Sequence, residues 1–233
     1  MKTVLITGAS RGIGLELTRQ LAAGPPCKIL ATCRDPGGAQ ALQDLAAAHP
    51  GTVEVLELDV EAEASVQALA ARLEDVSIDV LYNNAGILDW RTLLELDAEV
   101  MERIYKVNVV GAMLVLRTFL PHLRRADAPL VVNLSSRLGS IALRGSTQLG
   151  GAIGYSASKA ALNMLTRQAS IDLAGDGVTV VSISPGWVRT DMGGPEAKYS
   201  VQESVSRILR NVEGFVPEAS GGFFGEDGEV LPY

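Results

Sequence analysis

Short aliphatic runs alternate with amphipathic stretches along most of this 233-residue chain. The runs at 3–7, 28–32, 53–58, 79–82, 130–134 and 178–184 are rich in Val, Ile and Leu, as parallel strands buried on both faces should be. Between them, 12–23 and 62–73 space their apolar residues three and four apart, as a helix does. The stretches 97–123 and 155–173 are longer and rich in Ala, Leu and Met. Each parallel neighbour needs a crossover connection. The alternation therefore predicts an α/β fold, a doubly wound parallel sheet with helices on both faces. A short last strand near 222–224 fits the same scheme. No Pro/Ser-rich linker and no internal repeat interrupts it, which predicts one domain over 1–233. The segments 137–154 and 187–200 follow strands at the sheet end where such folds bind ligands, and are the expected substrate loops.

Composition sharpens this picture. Hydrophobic residues make up 47% and aromatics only 5%, so the core is aliphatic. The net charge of −7 repels a phosphate backbone and argues against nucleic acid as a partner. Two cysteines, Cys27 and Cys33, are too few for a disulfide framework or a zinc site, and they flank one strand. A reducing, cytoplasmic setting is expected. The first residues run straight into a strand pattern, and no continuous apolar run reaches the length of a membrane span. His49 and His122 are isolated and close to prolines, which predicts surface or loop positions and no metal site.

The first strand leads into Thr7-Gly8-Ala9-Ser10-Arg11-Gly12-Ile13-Gly14 and then a helix. Gly8, Gly12 and Gly14 let backbone approach a pyrophosphate closely, while Ser10 to Ile13 surround a helix N-terminus rich in free N–H donors. The second strand ends at Thr32-Cys33-Arg34-Asp35. A guanidinium there can fork onto a 2′-phosphate, and Arg11 reaches the same region, so NADPH is expected over NADH. Asp35 is an alternative partner for Arg34. The third strand ends at Asp59-Val60, where Asp59 either accepts from an adenine amino group or caps the next helix. The fourth ends in Asn83-Asn84-Ala85-Gly86, small enough for a cofactor to lie against.

Tyr155 and Lys159 stand one turn apart at a helix start, on one face. An ammonium beside a phenol favours the phenolate and should lower its pKa towards the working range. Asn133-Leu134-Ser135-Ser136 ends a strand, and Ser136, or in second place Ser135, offers a hydroxyl to polarise a carbonyl. Asn108 is a polar residue inside a long apolar helix, so it is either exposed or holds a water in a proton path. The last long strand ends in Pro185-Gly186-Trp187-Val188-Arg189-Thr190, where backbone and the Thr190 hydroxyl can fix a nicotinamide carboxamide. Trp90 and Trp187 either line a pocket or serve packing, the two accounts being equally good.

Together TGASRGIG, NNAG, Asn108, Ser136, YSASK and PGWVRTDM resemble the short-chain dehydrogenase/reductase family from Met1 to about Met192. The later Gly193-Gly194-Pro195, Gly222-Phe223-Phe224 and Glu229 to Tyr233 look like its C-factor branch and related carbonyl reductases. The resemblance implies Tyr155 as general acid/base, and Lys159 lowering its pKa and holding the nicotinamide ribose. Ser136 would polarise the carbonyl and Asn108 would hold a relay water. It also implies Rossmann strand order 3-2-1-4-5-6-7, an NADP cofactor, aldehyde, ketone or alcohol substrates, and homodimers or homotetramers. Ser136 and Tyr155 lie farther apart than the compact family pattern, the extra residues falling in 144–154. A C-factor-like regulatory protein that binds the cofactor with little or no turnover is the competing expectation.

Overall fold

In the first strand Leu5 packs into one hydrophobic core while Val4 and Ile6 pack into another. That period of two belongs to a strand, and apolar residues on both sides require cover on both faces. The computed structural model describes residues 1–145 and 150–233. Its strands are β1 (Lys2–Ile6), β2 (Cys27–Cys33), β3 (Val53–Glu57), β4 (Val80–Asn83), β5 (Leu130–Leu134), β6 (Thr179–Ile183) and β7 (Phe223–Phe224). They form one seven-stranded sheet in the order β3-β2-β1-β4-β5-β6-β7, every neighbouring pair parallel. The helices are α1 (Gly12–Ala23), α2 (Gln40–Ala48), α3 (Glu63–Arg72), α4 (Ala98–Tyr105), α5 (Ala112–Leu123), α6 (Ile153–Asp172) and α7 (Val201–Glu213). Residues of α3, α5 and α6 complete the core beneath Leu5, Leu30, Leu81 and Val131. Residues of α1, α2 and α7 complete the one around Ile6, Ile29, Val132 and Ile183.

The order reverses between β1 and β4, so connections leave those two strands in opposite directions. A crevice opens there at the strands' carboxyl ends, and the site is built in it.

The expected strands all appear, with ends moved by a residue or so. Helices α2 and α7 were not foreseen. The second carried a legible signal: Ser200 and Glu203 form a reciprocal capping box at its start. The long helix over 97–123 is not uniform, because Lys106–Gly111 widens into a π-helical turn between α4 and α5. By length and composition the whole run Ala98–Leu123 is apolar enough to cross a membrane, which amends the expectation drawn from continuous runs. Here it packs Val115, Phe119 and Leu123 into the core.

His122 is also corrected. It is buried in α5, with Nε2 against Ala70 O at 3.2 Å, and burial pulls its pKa below the usual histidine range. The proline that suggested a loop, Pro121, lies inside the helix. Of the expected substrate loop 137–154, residues 146–149 lie outside the described part. Cys27 and Cys33 are free and buried at the two ends of β2.

Candidate active site

The crevice is a cleft of about 590 Å³ lined from the carboxyl ends of β1 through β6. Its floor at one end is the glycine loop. Gly8 and Gly12 have φ of +67° and +55°, which side chains rarely tolerate. A Cβ on Gly8 would stand 2.9 Å from Ala85 Cα, so the two loops touch backbone to backbone. Asn84 holds them together: its Nδ2 donates to Thr7 O at 2.8 Å and to Gly8 O at 3.0 Å. The Thr7 hydroxyl accepts from Asn84 N and Ala85 N, both at 3.0 Å. Helix α1 starts at this loop with no side-chain cap and no acidic residue in its first turn. Its N–H donors and partial positive charge are therefore free for an anion.

Ser10, Arg11, Gly12 and Ile13 line the cleft from this loop, with Arg34 from the end of β2 and Asp59 and Val60 from that of β3. Arg34 does not pair with Asp35. It lies 3.7 Å from Glu61, and Asp35 instead accepts from Gly38 N at 3.0 Å in its own turn. Asp59 does not cap a helix either. Its Oδ1 accepts from Glu61 N at 2.9 Å, and the residue preceding α3 is Ala62, which offers no side-chain cap. Arg11 is mostly exposed, 4.0 Å from Asp191.

The other end of the cleft carries Ser136, Tyr155 and Lys159. Lys159 is buried, and its Nζ donates to Leu134 O at 2.6 Å, at the end of β5. The same ammonium lies 5.5 Å from the centre of the Tyr155 ring. Burial lowers its pKa to about 8. Burial raises the Tyr155 phenol to about 12, opposed only by its hydrogen bond with Ser136. The expected lowering by the ammonium does not appear: desolvation penalises the phenolate more than the hydrogen bond with Ser136 favours it. At neutral pH the arrangement is a protonated phenol beside an ammonium. Ser135, the alternative hydroxyl, is turned away and donates to Asn163 Oδ1 at 2.6 Å. Ser136 Oγ accepts from Leu138 N at 3.1 Å and is hydrogen-bonded with Tyr155.

Helix α6 begins abruptly. Ala152, before its first turn, is held at φ +51°, with its N–H donating to Trp90 O at 3.2 Å. Asn108 sits in the π-helical turn behind the cleft. Its Oδ1 accepts from Ile87 N at 2.8 Å, and its Nδ2 donates to Ile87 O at 2.9 Å and Ser158 Oγ at 3.0 Å. It is buried, which removes the surface alternative. Such turns often mark functional sites.

A scan of family models matches residues 2–199 to the short chain dehydrogenases. The chain belongs to the short-chain dehydrogenase/reductase family. It is an oxidoreductase of that family. The C-signal of Myxococcus xanthus is 40% identical over 169 residues, 72% of this chain and all of the relative. The NADPH-bound carbonyl reductase from chicken fatty liver superposes with a TM-score of 0.94 at 37% identity, covering 100% of this chain and 99% of that one. Carbonyl reductase Sniffer of D. melanogaster gives 0.92 at 32% identity, each chain covered completely.

In this short-chain dehydrogenase/reductase, Pro185, Gly186, Val188 and Thr190 also reach the cleft, as do Ala85 and Gly86. Two expected residues do not line it: Gly14, packed beneath the glycine loop, and Asn108. Thr190 Oγ1 is engaged in its own turn, accepting from Gly193 N at 3.1 Å. Trp90 and Trp187 do line the cleft, each more than half exposed, alongside Leu88, Leu138 and Met192. The sequence reading missed Glu61 as a lining residue. It also missed a buried polar ladder behind the strands. Asn83 Nδ2 donates to Asn133 Oδ1 at 2.9 Å, Asn133 Nδ2 to Thr166 Oγ1 at 2.8 Å, and Thr166 and Ser182 hydroxyls meet at 2.7 Å. Asn133 and Ser182 occupy strand positions and Thr166 lies in α6.

Proposed function

We propose that this enzyme reduces aldehydes and ketones with NADPH, Tyr155 giving its proton to the oxygen of the substrate. The observation that carries the reading is the convergence of the Tyr155 phenol, the Lys159 ammonium and the Ser136 hydroxyl at one end of a cleft whose other end is a glycine loop. Similarity to two carbonyl reductases, one of them NADPH-bound, supports the substrate class and the cofactor.

The residues present fit a nicotinamide dinucleotide. The glycine loop leaves a cradle that a side chain on Gly8 would disturb, and the uncapped start of α1 suits a pyrophosphate. Gly8, Ser10, Arg11, Gly12 and Ile13 would hold the phosphates, with Gly14 supporting the loop. Arg34 would take a 2′-phosphate, Asp59 and Val60 the adenine, and Asn84, Ala85 and Gly86 the adjoining ribose. Pro185, Gly186, Val188 and Thr190 would hold the carboxamide. When bound, the cofactor supplies the hydride. Ser136 donates to the substrate oxygen and orients it. Tyr155 then protonates it, and Lys159 holds positive charge beside the phenol as that proton leaves. Asn108, its side-chain amide spread between Ile87 and Ser158, fixes the helix turn that faces Lys159 and is the site for a relay water. The segments 137–154 and 187–200 would shape the substrate's surroundings. The exposed Met101, Tyr105 and Val110 support a homodimer or homotetramer through the α4–α5 helix. A binding-only role like that of a signal protein draws no support from a site in which Lys159 is buried against Tyr155.

Two results follow. Arg34→Asp should turn coenzyme preference from NADPH towards NADH by about tenfold or more, the loss of roughly one charge-assisted hydrogen bond. An unchanged ratio of the two kcat/KM values would exclude Arg34 as the discriminator. The second concerns pH. Below about 8, Lys159 is charged and Tyr155 holds its proton, the form required for reduction. Reduction should therefore lose kcat as pH climbs through about 8, measured at saturating NADPH. A rate still flat two units higher would contradict the role given to Lys159. Stability moves the other way. A lysine whose folded pKa lies below its free value of 10.5 destabilises the fold while charged, so its contribution improves from about pH 8 upwards.

A further inference from the structure

Glu226 is 7% exposed, yet it does not line the cleft. A buried carboxylate needs a partner. Arg137 provides it, its Nε donating to Glu226 Oε2 at 3.0 Å, while its guanidinium also pairs with Glu229. Arg137 directly follows Ser136. Its backbone N–H donates to the Ser184 hydroxyl at 3.2 Å, and that same oxygen accepts from Gly186 N at 3.3 Å. Gly186 in turn lies against Glu226. Its φ is +77°, and a Cβ there would stand 3.1 Å from Glu226 Cδ and 2.9 Å from the Tyr199 ring. Glu226 therefore meets both turns that leave β5 and β6: the one carrying Ser136 and the one carrying Pro185 to Thr190. The segment that bears it is itself fastened to the serine turn. Ser140 Oγ donates to Pro232 O at 2.6 Å, and Ala142 N donates to Tyr233 O at 3.0 Å.

We infer that Glu226 is a positioning residue for the reduction. Through Arg137 it sets the Ser136 hydroxyl at a fixed distance from the turn at Gly186. This rests on the reading given under the proposed function. Glu226 touches neither reactant, so it acts on geometry rather than on binding. Misplacing a reacting group by about 1 Å can cost on the order of 10²-fold in rate.

The test uses the full chain with Glu226→Gln, Arg137→Met and the two combined, each rate normalised to the fraction of protein that binds NADPH. Glu226→Gln keeps the shape and removes the charge. Its kcat should fall by about tenfold, with KM and the NADPH dissociation constant within about threefold of wild type. Because Glu226 acts through Arg137, the double variant should be no slower than the slower single one. Should Glu226→Gln fail to fold, Arg137→Lys, which keeps the charge and loses the fork, carries the same test. A loss that disappears on normalisation makes Glu226 merely structural and overturns the inference. Tyr155→Phe runs alongside. If it is inactive while Glu226→Gln has full kcat, only this inference falls. If it turns over normally, or the wild type reduces no carbonyl, the proposed function falls and the inference with it.

Discussion

Tyr155→Phe is expected to cut kcat for carbonyl reduction by roughly 10²–10⁴-fold, the range general acid catalysis contributes. The substitution removes one oxygen from a buried ring and leaves its packing in place. It also removes the phenol proton, which burial keeps in place up to about 12. KM and NADPH affinity should change little, because the ring still fills the same space. The measurement is steady-state NADPH oxidation with a panel of aldehydes and ketones, alongside coenzyme titration. Equal rates for the two proteins would show that the proton comes from elsewhere.

Gly14→Ala is expected to weaken NADPH binding by about tenfold or more and to lower thermal stability, overpacking of this kind costing about 1–3 kcal/mol. Gly14 lies in α1 with ordinary helical φ, so its reason for being glycine is space. An added Cβ would fall against Gly8 O, and 2.6 Å from Asn84 Nδ2. Those two atoms make the hydrogen bond that joins the glycine loop to the end of β4. To relieve the contact the loop must rise into the cleft. Gly175→Ala is the control, since nothing lies within 4 Å of its Cβ position and its φ is not positive. Calorimetric titration and thermal denaturation check both variants. If Gly14→Ala behaves like Gly175→Ala, the loop has room that the geometry denies it.

The sheet was legible because aliphatic runs with polar interruptions have few other solutions, and the strand order followed from the resemblance. The phosphate end was legible too, since glycines carry their meaning in the absence of a side chain. What escaped depends on environment. Tyr155 is pushed up by burial, and spacing along a helix says nothing of how deeply a phenol is desolvated. Glu61, two residues beyond Asp59, has no local sequence signal, yet folding sets it between Arg34 and Arg103. Asn133 and Thr166 read as strand and helix residues, because their partners are distant in sequence. Helix α2 lacks a side-chain cap, so nothing local announced it. His122 was misjudged from the neighbouring proline, which the helix accommodates.

The central claim is that hydride passes between a nicotinamide held by the glycine loop and a carbonyl held at Ser136 and Tyr155. The most direct test is to supply NADPH carrying deuterium at the reactive ring carbon, together with an aldehyde or ketone, and to examine the alcohol by mass spectrometry. Deuterium should appear at the former carbonyl carbon, for one face of the labelled ring only. Alcohol formed without label from either face, or no alcohol from any carbonyl offered, would contradict the account.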